Sequence, residues 1–241
     1  CTGYTVEEKE KYMSLLLEKR TDAIILVGSN FVEADEEKNQ YIRQASKTVP
    51  IMIINGALNG ENVYCTLCDD FHAVYEATKS LQQSGHKDIL YLYNAKSYSA
   101  NKKLSGYISA METDGRSAKK KEELIQFVPG SIIDIKSHLS LLHKKGLSFD
   151  AIITSDDSLA IAALKFAKDN AISVPDQLSI IGYNNSILAL CSDPELTSID
   201  NKLESVCNNC ISALMGVFKG SDVPLRTVFS GEIIKRGTTR F

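Results

Sequence analysis

The chain has 241 residues, 44% hydrophobic, 24% charged and 7% aromatic, an ordinary globular composition that excludes disordered, collagen-like and low-complexity readings. Its 27 basic and 30 acidic side chains give a formal net charge of −3, so these residues alone are poorly suited to gripping nucleic acid. The length allows one large or two smaller domains, each able to bury a core.

From the start of the chain, residues 7–11 read Glu-Glu-Lys-Glu-Lys, which is unlike a signal peptide. Met13, Leu15, Leu16 and Leu17 among charges predict an amphipathic helix over Val6–Arg20. Ala23–Val27 is the first predicted strand, and its apolar run is far below the ~18–20 residues of a membrane span. Ile51–Ile54 and Val63–Cys68 are further strands. Val74, Ala77, Thr78 and Leu81 recur at helical spacing over His72–Ser84, where Ser84-Gly85 suits a left-handed helix end. Ile89–Tyr93 is the next strand. Lys119-Lys120-Lys121 is the densest basic run, and Glu122-Glu123 follows it at once. After the strand Ala151–Thr154, Asp156 or Asp157 opens a helix over Ser158–Asn170, where a carboxylate caps free N–H groups. Val174-Pro175-Asp176 then breaks the chain before the strand Leu178–Gly182. The strands are continuous apolar runs, which suits burial on both faces, and their alternation with helices predicts a parallel sheet covered by helices. No repeat and no Pro- or Ser-rich linker is present.

In an open α/β sheet, ligands bind beyond the carboxyl ends of the strands. Three polar groups fall there: Asp69-Asp70, Ser155-Asp156-Asp157 and Tyr183-Asn184-Asn185. Helix capping and loop solvation account for any one of them; three together favour a polar small-molecule site. The six cysteines do not form a disulfide scaffold, so reduced thiols and a cytoplasmic location are expected. Cys65-Thr-Leu-Cys68 and Cys207-Asn-Asn-Cys210 make a zinc tetrad by count. Residues i and i+3 of a strand face opposite sides, however, so small buried thiols are the reading and no metal is expected. His72, His86, His138 and His143 show no metal spacing. No G-x-S-x-G, H-E-x-x-H, P-loop or G-x-G-x-x-G occurs, and adjacent Asp156 and Asp157 cannot both enter one cleft as an acid–base pair. Neither catalysis nor a cofactor is expected.

Ser155–Ile199 reads SDDSLAIAALKFAKDNAISVPDQLSIIGYNNSILALCSDPELTSI. It closely resembles the effector-binding domain of lactose-repressor (LacI/GalR) family transcription regulators. The residues that carry the likeness are Asp156-Asp157, Val174-Pro175-Asp176, Gly182-Tyr183-Asn184 and Pro194-Glu195-Leu196-Thr197-Ser198. Gly85-His86 and Arg236-Gly237-Thr238 agree with it, and the resemblance runs from about Glu8 to Thr239. It implies an α/β fold of periplasmic-binding-protein-like type: two doubly wound parallel-sheet subdomains joined by three crossovers, with an effector cleft between them. On this pattern residues 1–84 and 201–218 form the N-terminal subdomain, and 85–200 and 219–241 the C-terminal one. The family's first strand–helix–strand unit and its helix-turn-helix headpiece are missing from the sequence, so further residues are expected upstream.

The resemblance also implies the site. Asp69 matches a family Asp, Lys103 stands where Arg is usual, Asp156 where Asn is usual and Asn184 where a ligand-binding Asp is usual; Leu203 falls at an apolar position. Lysine keeps the charge of arginine and loses its planar fork. Asp156 with Asn184 looks like an exchange of acid and amide, suited to a polyhydroxylated or amine-bearing molecule. The implied function is the effector-binding and dimerisation domain of a repressor-type regulator that senses a small polar metabolite such as a sugar. Its partners are that effector, a second copy of the chain and operator DNA, the last only through the headpiece. The alternative on the same fold is the sugar-like solute-binding protein of an ABC importer. Replacing Asp156 by Ala is expected to weaken effector binding with little change in stability.

Overall fold

A computed structural model describes residues 5–112 and 122–241; the basic run Lys119–Lys121 lies outside the described residues. The chain forms two compact units. The first comprises the described residues up to Cys68 together with Lys96–Ser99 and Lys202–Phe229; the second comprises Asp69–Ala95, the described part of Ala100–Asn201, and Ser230–Phe241. Apart from the short return at Lys96–Ser99, the chain passes from one unit to the other three times, after Cys68, Asn201 and Phe229.

The first unit opens with α1 (Val6–Glu18), whose start is fixed by a reciprocal capping box between Thr5 and Glu8. β1 (Ile24–Val27), a 3-10 turn (Glu36–Asn39), α2 (Gln40–Ser46), β2 (Ile51–Ile54) and β3 (Val63–Cys68) follow. Late in the chain α8 (Leu203–Phe218) and β9 (Arg226–Phe229) return to this unit. Its sheet is parallel throughout, in the order β1-β2-β3-β9. Ile51 and Ile53 face a core shared with Ile24, Leu26, Ile42 and Cys65, while Met52 and Ile54 face Val206 and Cys210 of α8. β1 departs from the expected two-sided burial: Ile24 and Leu26 are buried, but Ile25 and Val27 are 36% and 66% exposed. Within these residues its exposure alternates, because successive side chains of a strand point to opposite faces.

The second unit contains α3 (Asp70–Gln83), β4 (Ile89–Tyr93), α4 (Tyr98–Met111, whose first two residues group with the first unit), β5 (Ile125–Phe127) and α5 (Ile132–Lys144). β6 (Ala151–Thr154), α6 (Asp157–Asp169), β7 (Ser179–Tyr183), α7 (Ile187–Cys191), β8 (Thr197–Asp200) and β10 (Glu232–Ile234) complete it. Its sheet runs β10-β8-β7-β6-β4-β5, parallel except for the antiparallel β10–β8 pair. One face packs Leu90, Ile152 and Ile180 against Leu159, Ala163 and Phe166 of α6 and Ile135 and Leu139 of α5. The other packs Ile89, Tyr91, Ile153 and Ile181 against Val74, Ala77 and Leu81 of α3 and Tyr107 and Met111 of α4.

Two stretches group differently from the ranges the resemblance implied. Residues 69–84 were expected with the first subdomain, yet the apolar stripe of α3 is buried on the sheet of the second. Residues 219–229 were expected with the second, yet β9 pairs with β3 in register Cys65↔Arg226. Among the described residues no helix is long and apolar enough to cross a membrane.

Local chemistry sets the helix ends and contacts. Gly85 has φ +97°; its N–H reaches Gln82 O and the following N–H of His86 reaches Leu81 O, the left-handed stop expected at Ser84-Gly85. Gly106 of α4 lies so close to α3 that an added Cβ would sit 2.2 Å from the carbonyl oxygen of Phe71. At the opposite end of the sheet, Asp150 accepts the N–H groups of Lys87 and Asp88 at 2.9 and 3.1 Å and lies 3.6 Å from His86 Nδ1. Burial pushes this carboxyl up, but the bonds from His86 and the two N–H groups outweigh it and hold it below the ordinary carboxylate value.

Gly106→Ala is expected to destabilise the protein by about 2 kcal/mol or more, because the helix backbones must separate to admit the methyl group; chemical denaturation measures it. Asp150→Ala is expected to cost about 1 kcal/mol at neutral pH, towards the low end because the carboxylate is half exposed. A carboxyl with a lowered folded pKa stabilises above its unfolded pKa and loses that contribution as pH falls through the folded value. The difference between parent and variant melting temperatures therefore narrows from pH 7 towards about pH 3; a constant difference would contradict the assignment.

Candidate functional site

The carboxyl ends of β6 and β7 carry most of the polar chemistry of the second unit. β6 ends at Thr154, and Asp156 is the N-cap of α6. Its Oδ1 accepts the N–H groups of Ser158 and Leu159 at 2.8 and 3.1 Å and the Ser158 hydroxyl at 2.5 Å. The neighbouring Asp157, 1% exposed, points elsewhere. It accepts the N–H and hydroxyl of Ser186, both at 2.7 Å, and the hydroxyl of Ser198 at 2.6 Å. Gly182 on β7 makes room for it, since a Cβ there would lie 2.2 Å from Asp157 Oδ1.

After β7, Asn184 and Asn185 have φ of +100° and +47°, left-handed values that Asn tolerates better than most residues. The Asn184 N–H bonds Ile199 O at 2.8 Å and the Asn185 N–H bonds Ser198 Oγ at 3.0 Å. Arg236 Nη2 donates to Asn185 Oδ1 at 2.6 Å, and Nη1 to Leu196 O at 2.8 Å. The Thr238 hydroxyl donates to Ile180 O at 2.6 Å and accepts the Thr197 N–H at 2.9 Å. The closing Arg-Gly-Thr segment thus fastens β7 and β8 at the base of this loop.

Lys103 of α4 is 7% exposed. Its Nζ donates to Ser155 O at 3.0 Å and stands 3.6 Å from the centroid of the Tyr183 ring, a cation–π contact that helps hold the ammonium in a poorly solvated place. The Tyr183 hydroxyl donates to Asp70, which is also buried. Among the described residues the buried Tyr91 hydroxyl has no hydrogen-bond partner; burial, then the nearby Asp70 charge, pushes its pKa well above the ordinary phenol value. Asp69 is the N-cap of α3, with Oδ1 3.1 Å from the His72 N–H and Oδ2 3.4 Å from His72 Nδ1.

Of the five expected site residues, Lys103, Asp156 and Asn184 therefore gather around the ends of β6 and β7. Asp69 joins them only through its neighbour Asp70 and the Tyr183 hydroxyl. Leu203 belongs to the first unit, where it is the first residue of α8 and 50% exposed. A cavity of about 370 Å³ in the second unit, between α3 and the β8–β10 edge, takes in Asp69, His72, Glu76 and Glu232 but none of the other expected residues. The sequence reading did not single out Asn201, whose Nδ2 donates to Asn184 Oδ1 at 3.0 Å. Their proximity depends on the parallel pairing of β7 with β8 in register Tyr183↔Ile199, and no local pattern signals it.

The cysteine pairs lie on β3 and α8. Cys65 packs in one core of the first unit, with Sγ 3.4 Å from the Leu58 N–H, whereas Cys207 and Cys210 line the other. Burial, then the neighbouring Cys207, pushes the Cys210 thiol up to about 11. Among the described residues no group of three or more His, Cys, Asp or Glu side chains could hold a metal ion.

Residues 78–239 match the periplasmic binding protein-like domain family. An HTH-type transcriptional regulator of Lachnoclostridium phytofermentans is 51% identical over all 241 residues, which span 72% of its length. The chain belongs to the LacI/GalR family of transcriptional regulators. The Escherichia coli regulator AscG is 28% identical over 97% of this chain and 68% of its own length. A sugar-binding LacI-family regulator of Escherichia coli, solved with phosphate, superposes with a TM-score of 0.84 at 26% identity, covering 97% of this chain and 82% of that one. These relatives place the chain with ligand-sensing regulators and not with the solute-binding proteins of importers.

Within this LacI/GalR chain, Asp156 and Asp157 have separate structural roles that truncation should resolve. Asp156→Ala is expected to lower stability by about 1 kcal/mol through loss of the cap, a cost that the expectation of an unchanged stability left out. Asp157→Ala leaves the buried Ser198 hydroxyl and the partly buried N–H and hydroxyl of Ser186 without their acceptor and is expected to cost about 2–4 kcal/mol. Equal losses in denaturant titrations would refute the division between the two carboxylates.

Proposed function

We propose that the chain is the effector-binding and dimerisation part of a LacI-type transcription regulator, a repressor that senses a sugar or sugar derivative in the cytoplasm. The observation that carries this is the polar constellation at the ends of β6 and β7, where Lys103, Asp156 and Asn184 gather at strand termini of a parallel sheet. That is where ligands sit in folds of this kind. The effector-binding residues are Asp69, Lys103, Asp156 and Asn184, with Leu203 as an apolar partner. The likeness to the sugar-binding LacI-family regulator of Escherichia coli supports the effector class.

The protein binds and does not catalyse, needs neither cofactor nor metal, and reaches operator DNA through a helix-turn-helix segment outside these residues. A two-fold homodimer suits a reader of palindromic half-sites. An effector that binds one conformation of the regulator better than another shifts its affinity for DNA by that difference. Asp156 acts here both as helix cap and as ligand acceptor, because the three hydrogen bonds of the cap fall on Oδ1 and leave Oδ2 for a donor on the effector.

The test uses the full-length regulator. A thermal-shift screen over sugars, sugar phosphates, nucleobases and amines should find its hits among the sugars. At about 100 times Kd a ligand specific for the folded state adds roughly 2.7 kcal/mol, a shift of several degrees. The hit should change operator binding in a gel shift, light scattering should report a dimer, and Asp156→Ala should weaken the hit about 10-fold. A monomer at tens of micromolar (roughly, a concentration at which standard-size interfaces persist), or a hit without effect on DNA binding, would overturn the reading.

A further inference from the structure

Cys207-Asn-Asn-Cys210 is a motif that effector sensing leaves unused. Both cysteines lie on α8, three residues apart, where side chains are neighbours with about 5–6 Å between their Cβ atoms. Both pack on one face of the first unit's sheet. Cys210 is fully buried with Met52, Ile54 and Val206, and half-buried Cys207 lies against the same cluster. Both thiols are free.

The other C-x-x-C pair is built differently. Residues i and i+3 of a strand face opposite sides. Cys65 is engaged with the Leu58 backbone, accepting its N–H at 3.4 Å and donating to its carbonyl oxygen at 3.6 Å. Cys65 and Cys68 therefore cannot join, whereas Cys207 and Cys210 form a dithiol with one thiol reachable and the other sheltered.

A disulfide holds its Cβ atoms about 3.5–4.5 Å apart. Closing the pair on α8 draws the side chains together by about 1–2 Å, so this turn of the helix has to give. Asn208 and Asn209 between them are weak helix formers, which makes it the turn that yields. Asn209 is also tied to β3, since the Thr66 hydroxyl donates to its Oδ1 at 3.2 Å, so a change in the turn reaches the sheet. A bridge formed against strain is easily reduced. That property suits a transient bond, the usual kind in a reducing compartment.

We propose that Cys207 and Cys210 are a reversible redox modification site, at which a small-molecule disulfide such as oxidised glutathione converts the dithiol into an intrahelical disulfide. Cys207 is the attacking thiol and Cys210 the resolving one. The Cys207 thiolate, its proton passed to water, attacks one sulfur of glutathione disulfide. A mixed disulfide forms on Cys207, and the first glutathione leaves as a thiolate and takes up a proton. Cys210 then loses its proton and attacks Cys207 Sγ. The Sγ–Sγ bond forms, the mixed disulfide breaks, and the second glutathione leaves and is protonated. The protein gives up two electrons and two protons, and one glutathione disulfide becomes two glutathiones. Burial keeps the Cys210 thiol protonated at neutral pH, so the second step is the slower one; the closeness of the two sulfurs offsets this.

The test incubates the full-length regulator with excess oxidised glutathione and maps its thiols by peptide mass spectrometry. The parent should acquire a disulfide between Cys207 and Cys210 and return to the dithiol with excess reduced glutathione. Cys210→Ser should stop at a lasting glutathione adduct on Cys207, and Cys207→Ser should leave Cys210 unmodified. Should Cys210→Ser fail to fold, Cys210→Ala, which leaves no hydroxyl in an apolar place, serves for the same measurement. Exposed Cys191 is the reference for a thiol that the reagent reaches. A lasting adduct on Cys207 of the parent, a bridge from either residue to Cys68, a bridge that reduced glutathione does not open, or an unreacted pair under conditions that modify Cys191 would each overturn the proposal.

Discussion

Asp157 organises the end of the second unit where β6 and β7 terminate, by a carboxylate that has no ion-pair partner among the described residues. Burying an isolated charge is very unfavourable, so Asp157 is held in its 1%-exposed position only because donors converge on it: the N–H and hydroxyl of Ser186 and the hydroxyl of Ser198. Its place at the first turn of α6 adds the favourable end of the helix dipole. One side chain thereby ties a helix, the loop after β7 and strand β8 together. The constraint reaches into the sequence, because Gly182 has to lack a side chain for the carboxylate to fit.

A second fastening lies at the base of the same loop. Arg236 joins Asn185 to Leu196, Gly237 donates its N–H to Glu195 O, and Thr238 bridges Ile180 and Thr197. The motifs that carried the family resemblance, Gly-Tyr-Asn, Pro-Glu-Leu-Thr-Ser and Arg-Gly-Thr, therefore converge on one scaffold. Most of their residues hold the ends of β7 and β8 in shape. That role explains how such motifs can be strong signals of family and weak signals of what is sensed.

The sheet architecture was legible because buried parallel strands write themselves as continuous apolar runs, and Ile51–Ile54 and Ala151–Thr154 have the bounds their runs predicted. In β1 the same kind of run alternates between buried and exposed positions, because what covers a strand is decided by long-range packing and not by its own run. The boundary after β3 was misplaced for a related reason: the apolar stripe of α3 fits either sheet, and only long-range packing decides which. Asp156 was legible as a polar residue after a strand that caps a helix, whereas Lys103, in the middle of α4, was named only through the family resemblance. The seat of Lys103 between Ser155 O and the Tyr183 ring arises from geometry that spacing does not encode. Asn201 was invisible because its partner is 17 residues away and meets it only through the β7–β8 register.

The two Asp-Asp pairs show how little of a carboxylate's role lies in its type. Both occupy the N-cap and first position of a helix that follows a parallel strand, Asp69-Asp70 at α3 and Asp156-Asp157 at α6. Consecutive residues at a helix start point in different directions, so each pair splits. The outer acid caps backbone N–H groups and keeps contact with solvent, while the inner one is buried among donors from the sheet and the loop after β7: the Tyr183 hydroxyl for Asp70, and Ser186 and Ser198 for Asp157. An acid serving as cap alone would tolerate Asn or Ser in its place, and an acid serving the interior alone would have no reason to lie at a strand end. The tandem arrangement lets the inner residue fix the helix against the sheet while the outer one keeps an oxygen directed away from the cap. The inner carboxylates, and not the outer ones, therefore carry most of the attachment of each helix to its sheet.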